Sequence, residues 1–252
     1  MQALILPARS GWRWIADGYR IYSKNRLMLS LIVFSYWLMM VMVNSVPVLG
    51  QIVATVFLPA MSVGLMNACR RVEHGESIAP QVMFSGLAEN LRTLLLLGLI
   101  YLLAALSIFA LTSLIDGGTL FDLFVVGGQF DETSSPGAMM LSAQVAMALF
   151  VPLVMAFWYA PVLSAWHGYT AGKSLFFSLV ACLRNWRPFV VYSFGLLVGG
   201  LAMIIVAGLL SAVMPGMGRA ALFAVAFFGM PIMYASFYVS YRDVFVSVDE
   251  NA

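Results

Sequence analysis

Long runs of apolar residues, broken by short polar or basic segments, dominate the chain. Crossing about 30 Å of hydrocarbon takes roughly 20 mostly apolar residues in a helix. Six runs satisfy this, at 27–46, 51–69, 91–115, 138–168, 192–213 and 220–241. The fourth is longer than a bilayer requires and contains Pro152 and Pro161. Pro47-Val48-Leu49-Gly50 and Pro215-Gly216-Met217-Gly218 are tight turns that join spans one to two and five to six. The prediction is an all-α, polytopic membrane bundle of six transmembrane helices. The first run follows 26 residues that include two tryptophans, with no small-x-small cleavage pattern after it, so it is expected to remain a span.

The segments between spans repeat. Each odd span is entered through an asparagine beside a charge: Lys24-Asn25-Arg26, Glu89-Asn90-Leu91-Arg92 and Arg184-Asn185-Trp186-Arg187. Each even span has a proline eleven or twelve residues before a basic residue, as in Pro59 to Arg70, Pro161 to Lys173 and Pro231 to Arg242. The chain therefore reads as three pseudo-repeated hairpins, 27–69, 91–168 and 189–241, after an interfacial segment 1–26 and before a short tail 243–252. A helix start leaves four N–H groups unpaired, which gives Asn25, Asn90 and Asn185 a role as caps. Pro59, Pro161 and Pro231 are expected to bend their helices, because proline removes a backbone donor.

The lead-in segments are amphipathic. In the first, Arg9, Arg13, Asp17, Arg20 and Lys24 recur every three or four residues, opposite Trp12, Ile15, Tyr19 and Tyr22. This pattern predicts an interfacial helix with its aromatic stripe among headgroups and Arg9, Arg13, Arg20 and Lys24 on anionic lipid. The second, 80–90, presents Val82, Met83 and Leu87. The third, 172–186, presents Phe176, Phe177, Val180 and Leu183 and carries so little charge that burial beneath the bundle is expected. Small residues at four-residue spacing (Ala60, Gly64 and Ala68; Gly195 and Gly199; Ser236 and Ser240) suggest close packing of spans two, five and six.

Composition agrees with lipid as the solvent: 62% of the 252 residues are hydrophobic, 10% are charged and the mean hydropathy is +0.95. A soluble chain carries about 25% charge. The net charge of +2 says little, but its distribution says more. Of 13 basic residues, 12 fall in the segments on the side of the termini and one, Arg219, on the other. Basic residues in short loops mark the cytoplasmic side, so both termini are expected inside. The segment 116–137 is the long outer one; it holds Asp116, Asp122, Asp131 and Glu132 and no base, and its apolar middle, 119–126, is expected to cap the bundle or lie on the interface. Its acids lack calcium-ligand spacing.

Chemistry is sparse. No ionisable residue falls mid-span, which argues against proton- or sodium-coupled transport. Deep polar groups are limited to Asn44, Gln51, Asn67, Thr112 and Gln144. His74 and His167 belong to no HExxH pattern or Cys/His cluster, and Cys69 and Cys182 are expected reduced. The 17 methionines lack the His or Cys company of a copper site and read as packing. Neither a catalytic set, a metal, a cofactor nor a nucleic-acid partner is expected.

Trp12-Arg13-Trp14, Gly18-Tyr19-Arg20-Ile21-Tyr22 with Lys24-Asn25, the stretch from Leu58-Pro59 to Arg70-Arg71 and Gly75, and Tyr159-Ala160-Pro161 with Asn185 together carry a resemblance. The chain resembles a group of uncharacterised six-span bacterial inner-membrane proteins, similar to the membrane-anchor domain on some glycerophosphodiester phosphodiesterases. The resemblance spans nearly the whole chain and implies the architecture and a bacterial inner-membrane location. The catalytic domain of those fusions and its His/Glu set have no counterpart here, so their activity does not carry over. The expected function is a non-enzymatic membrane module that organises anionic lipids or a protein partner, engaged through 116–137 or the cytoplasmic face. The alternative is a passive channel or carrier for a small or amphipathic solute, lined by the even spans around their prolines.

Overall fold

The computed structural model describes residues 2–126, 128, 135–214 and 216–246. Asp131, Glu132, Pro215 and the tail beyond 246 lie outside the described residues, as does the side chain of Arg219. The protein is helical: α1 (Ser10–Lys24), α2 (Arg26–Asn44), α3 (Leu49–Glu73), a 3-10 helix (Pro80–Ala88), α4 (Leu91–Asp116), α5 (Thr119–Phe121), α6 (Pro136–Trp158), α7 (Ala160–His167), α8 (Ala171–Arg184), α9 (Trp186–Val213) and α10 (Met217–Val244). Among the described residues six helical stretches are long and apolar enough to cross a membrane: α2, α3, α4, α6 with α7, α9 and α10. It is an all-α polytopic bundle with the six spans expected. A two-residue antiparallel pair, Gln2–Ala3 with Phe245–Val246, is its one extended feature among the described residues.

The helices sort into two compact units. One comprises Met1–Met40, Met61–Glu89 and Ala181–Ala252, the other Val41–Ala60 and Asn90–Val180.

In the first unit α1 packs against α9 and α10. The contact works because α1 presents glycines: a Cβ on Gly11 would stand 2.2 Å from the carbonyl oxygen of Pro188, and one on Gly18 would stand 2.6 Å from the backbone nitrogen of Ser236. Trp14 lies between them, fully buried, edge-on to Phe189 at 5.4 Å and to Tyr192 at 5.8 Å. The hydroxyls of Tyr192 and Ser236 are hydrogen-bonded at 2.8 Å. Of the small residues expected to join spans, Ser236 receives Gly18 and Gly195 lies under Trp12 and Ile15, so both serve α1; Gly64 lies against the Met83 backbone of the 3-10 helix, and Gly199 faces open space.

The asparagines stand at the expected junctions, but Asn90 and Asn185 do not cap by side chain. Asn185 is fully buried; its Oδ1 accepts from the Leu6 N–H, and its Nδ2 donates to the carbonyls of Leu4 and Ala181, each at 2.9 Å. It ties down the N-terminal segment, whose unpaired backbone groups compete for the carboxamide. Asn90 has a left-handed backbone, φ +42°, whereas a capping residue is extended. Its Nδ2 donates to the carbonyl and hydroxyl oxygens of Ser164 in α7, at 3.1 Å. Asn25 closes α1 through its backbone N–H, which donates to the Tyr22 carbonyl at 3.2 Å.

In the second unit α4 packs along α6 and α7, with Tyr101 against Phe157 and Phe109 against Phe150. The long fourth span breaks at Tyr159, two residues before Pro161. The Tyr159 N–H donates to the Ser178 hydroxyl at 2.9 Å, which donates to the Met155 carbonyl at 2.8 Å. Ser178 is thereby inserted into the one helical hydrogen bond that would have joined Tyr159 to Met155, a recognised cause of kinks. Pro59 and Pro231 are carried inside continuous helices, so of the three prolines only Pro161 accompanies a break. The apolar middle of segment 116–137 is helical and packs on α4 and α6, with Leu120 buried and Asp116 accepting from the N–H groups of Gly118 and Leu120.

Gly11→Ala and Gly18→Ala should each lower stability in detergent by about 1–3 kcal/mol, because their Cβ atoms meet backbone that can yield only by moving a helix. Gly199→Ala is the control, with no loss of melting temperature. Asn185→Ala should cost about 1–3 kcal/mol through the unpaired buried groups it leaves, and Asn25→Ala clearly less; equal melting of the two variants would contradict the clip.

Candidate functional site

α1 and the residue that precedes it display a cluster of basic residues, Arg9, Arg13, Arg20 and Lys24. Three faces follow from helical spacing. Ser10, Gly11, Trp14, Gly18, Ile21 and Tyr22 are buried. Trp12 and Tyr19 form a second, exposed line, and Arg9, Arg13 and Arg20 an exposed third. The expected aromatic stripe is therefore corrected: Tyr22 turns inward, its hydroxyl 3.1 Å from that of Ser30, and Ile15 is half-buried. The physical reason lies in the solvent. Lipid supplies no drive to hide large apolar groups inside the protein, so the inner face is set by where glycines and serines let helices approach, and Trp14, Ile21 and Tyr22 are buried because they share that face with Gly11 and Gly18. α8 follows the same rule: Ser174, Ser178, Ala181 and Cys182 are buried, while Phe176 and Leu183, expected inward, are exposed.

The four predicted headgroup ligands differ in what already holds them. Arg20 pairs with Asp17 at 2.6 Å, and Lys24 donates to the backbone carbonyl of Glu73 at 2.8 Å. Arg9 and Arg13 make no ion pair among the described residues and are exposed. Since Gly11 lies against Pro188, the same rim continues into the start of α9, where Trp186 and Arg187 are exposed with the guanidinium 5.5 Å from the indole ring.

Beside this rim is a polar knot whose members the sequence pattern did not bring together. The Glu73 carboxylate at the end of α3 accepts from Arg242 and from the Tyr238 hydroxyl, both on α10, and Arg242 also donates to Asp243 through Nε and Nη2. With Lys24 on the Glu73 carbonyl, the ends of α1, α3 and α10 are joined. The acid and base lie 169 positions apart, and periodicity carries no signal for such a pair. Nearby, the buried Asn67 donates to the Ser85 hydroxyl and the Glu89 carboxylate, both at 2.8 Å, seating the 3-10 helix on α3.

The remaining candidates stay apart. His74 is exposed with Nδ1 2.7 Å from the Arg70 carbonyl, and Cys69 and Cys182 are both free thiols. Among the described residues no group of three or more His, Cys, Asp or Glu is placed to hold a metal ion.

A protein of Burkholderia thailandensis described as a "probable inner membrane protein" is 36% identical over 258 residues, a match covering 97% of this chain and 94% of the relative. The chain belongs to this inner-membrane protein family. No protein-family model and no solved structure matches it. Membership agrees with the six apolar spans.

The knot lies at a partly exposed site, so screening limits each pair to about 1 kcal/mol or less. Glu73→Gln and Arg242→Gln should each cost about that much, and a double-mutant cycle in detergent should return a coupling of about 0.5–1 kcal/mol that shrinks with added salt. Strict additivity of the two variants would show that the pair does not contribute.

Proposed function

We propose that this inner-membrane protein is non-enzymatic and gathers anionic phospholipid headgroups at the rim formed by α1 and the start of α9, with both chain termini in the cytoplasm. The observation that carries the reading is the exposure of Arg9 and Arg13, free of acidic partners among the described residues, on a helix held to the bundle by backbone-close glycine contacts. Rigid placement matters, since ordering a flexible basic segment would consume part of what binding gains. Trp12, Tyr19 and Trp186 stand exposed beside the charges, as amphipathic rings do at headgroup level. The bias of 12 basic residues to this end supports the orientation. The motif-level likeness to phosphodiesterase membrane anchors supports a scaffold rather than a catalyst.

Each basic residue near an anionic surface contributes about 1 kcal/mol. Arg9→Gln with Arg13→Gln should therefore weaken retention of phosphatidylglycerol or cardiolipin by roughly 30-fold, the equivalent of about 2 kcal/mol. Native mass spectrometry of detergent-extracted protein reads this directly, with phosphatidylethanolamine as the reference lipid. Equal retention of anionic and zwitterionic lipid by the unmutated protein would overturn the proposal.

A further inference from the structure

Residues 2–24 are held chiefly by the last part of the chain. Gln2 and Ala3 pair antiparallel with Val246 and Phe245, and the Leu4 N–H donates to the Val244 carbonyl at 2.9 Å. Leu4 and Leu6 share the carboxamide of Asn185, and α1 sits with Gly11 on Pro188 and Gly18 on Ser236. Trp14, fully buried, meets Phe189 and Tyr192. The bonds made elsewhere, between the Tyr22 and Ser30 hydroxyls and from Lys24 to the Glu73 carbonyl, stand at the far end of α1. There the helix stops at Asn25, whose backbone (φ −150°, ψ +67°) is not helical, and α2 starts at the next residue. The segment is thus joined to the spans by one non-helical residue and by its seat on α9 and α10.

We infer that residues 2–24 are a clasp, a part of the chain that opens and closes on the last hairpin as one piece, about Asn25, while the six spans stay in place. The closed clasp is the arrangement described above, in which α1 covers Gly195 and Ser236. Opening costs less than it would in a soluble protein. A basic helix with Trp12, Trp14, Ile15, Tyr19 and Ile21 is amphipathic enough to rest on the lipid interface. Moving Trp14 and Ile21 from protein to lipid forfeits packing contact but little hydrophobic free energy. The buried anchor of the strap, residues 2–9, also has a second use. Asn185 immediately precedes α9 and makes no side-chain cap bond while it holds Leu4 and Leu6. Once released, it stands where an asparagine caps a helix, with the Arg187 N–H among the donors a helix start leaves unpaired. The strap and α1 move together because a tight turn joins them, with the Ser10 N–H on the Pro7 carbonyl and the Gly11 N–H on the Ala8 carbonyl. A strap that lets go frees the start of α1, and an α1 displaced from Ser236 draws the strap with it.

The inference does not rest on the headgroup proposal, and nanodiscs of zwitterionic phosphatidylcholine keep the two apart. Each arm of the test perturbs one part of the clasp and reads the other. Asn185→Ala removes the strap's anchor, whose carboxamide bonds to Leu4, Leu6 and Ala181 and not to α1. The read-out is N-ethylmaleimide labelling, resolved by mass spectrometry, of Ser10→Cys and Ile21→Cys, at buried positions near the two ends of α1. Both thiols should react about tenfold faster with Asn185→Ala, the factor given by about 1.4 kcal/mol. Gly18→Ala perturbs α1 alone, and amide hydrogen exchange at Leu4 and Leu6 should quicken by about the same factor, since exchange follows the opening equilibrium of a cooperative unit. Amides in the middle of α9 and α10 should stay protected in both arms. Unchanged thiol rates with Asn185→Ala, or unchanged Leu4 and Leu6 exchange with Gly18→Ala, overturns the inference, because strap and helix then move separately. So does exchange in α9 and α10 that rises in step with the clasp, which is unfolding of the hairpin. With Asn185 intact, the Ser10→Cys and Ile21→Cys thiols should share one opening constant, and a difference of more than about tenfold between them also overturns it.

Discussion

The approach of α1 to α9 and α10, at distances where even a methyl group would collide with backbone, sets the arrangement of the end that carries both termini. Inside a bilayer the usual reason to bury large apolar surface is absent, so van der Waals contact and hydrogen bonding must hold helices together. Glycine at positions 11 and 18 gives the first, and the Tyr192–Ser236 bond beside Trp14 gives the second. Once that face of α1 is committed, its rotation is decided. The arginines point away from the bundle, and Trp12 comes to rest over Gly195.

The second unit meets a different requirement, the pairing of every backbone group that a proline or a helix end exposes. Ser178 fills the gap in the ladder at Tyr159, and Asn90 reaches Ser164 just beyond that gap. Asp116 closes the start of α5 with both carboxylate oxygens. At Tyr159 and at the start of α5 a short polar side chain replaces a missing main-chain partner, whereas the Asn90 carboxamide adds a second bond to the Ser164 carbonyl, which also accepts from the Gly168 N–H.

Two surfaces of the first unit differ in kind. The rim of α1 and the start of α9 sets exposed arginines beside exposed Trp12, Tyr19 and Trp186, and between α2 and α10 lies an open apolar pocket. The Glu73–Arg242–Tyr238 knot ties the ends of α3 and α10 in that unit.

The spans were legible in one dimension because length and hydropathy alone satisfy the bilayer, and the six helices agree with the six apolar runs to within a few residues, apart from α9, which begins at Trp186 directly after Asn185. The junction asparagines were equally visible as positions. Their partners were not, since Leu4, Leu6 and Ser164 come near only after the chain has folded. The three prolines looked alike, yet only the one whose neighbourhood supplied Ser178 accompanies a broken helix. Amphipathic pattern misled for α1 and α8 because it ranks faces by hydrophobicity, whereas their inner faces are those where small residues (Gly11 and Gly18 in α1; Ser174, Ser178 and Ala181 in α8) allow close approach. By itself, then, the sequence determined the number of spans and the all-helical class, for these depend on composition summed along the chain. Which face of α1 turns inward, which arginines are left without acids and which helices enclose the apolar pocket were decided by tertiary structure, because each depends on contacts between residues far apart in the chain.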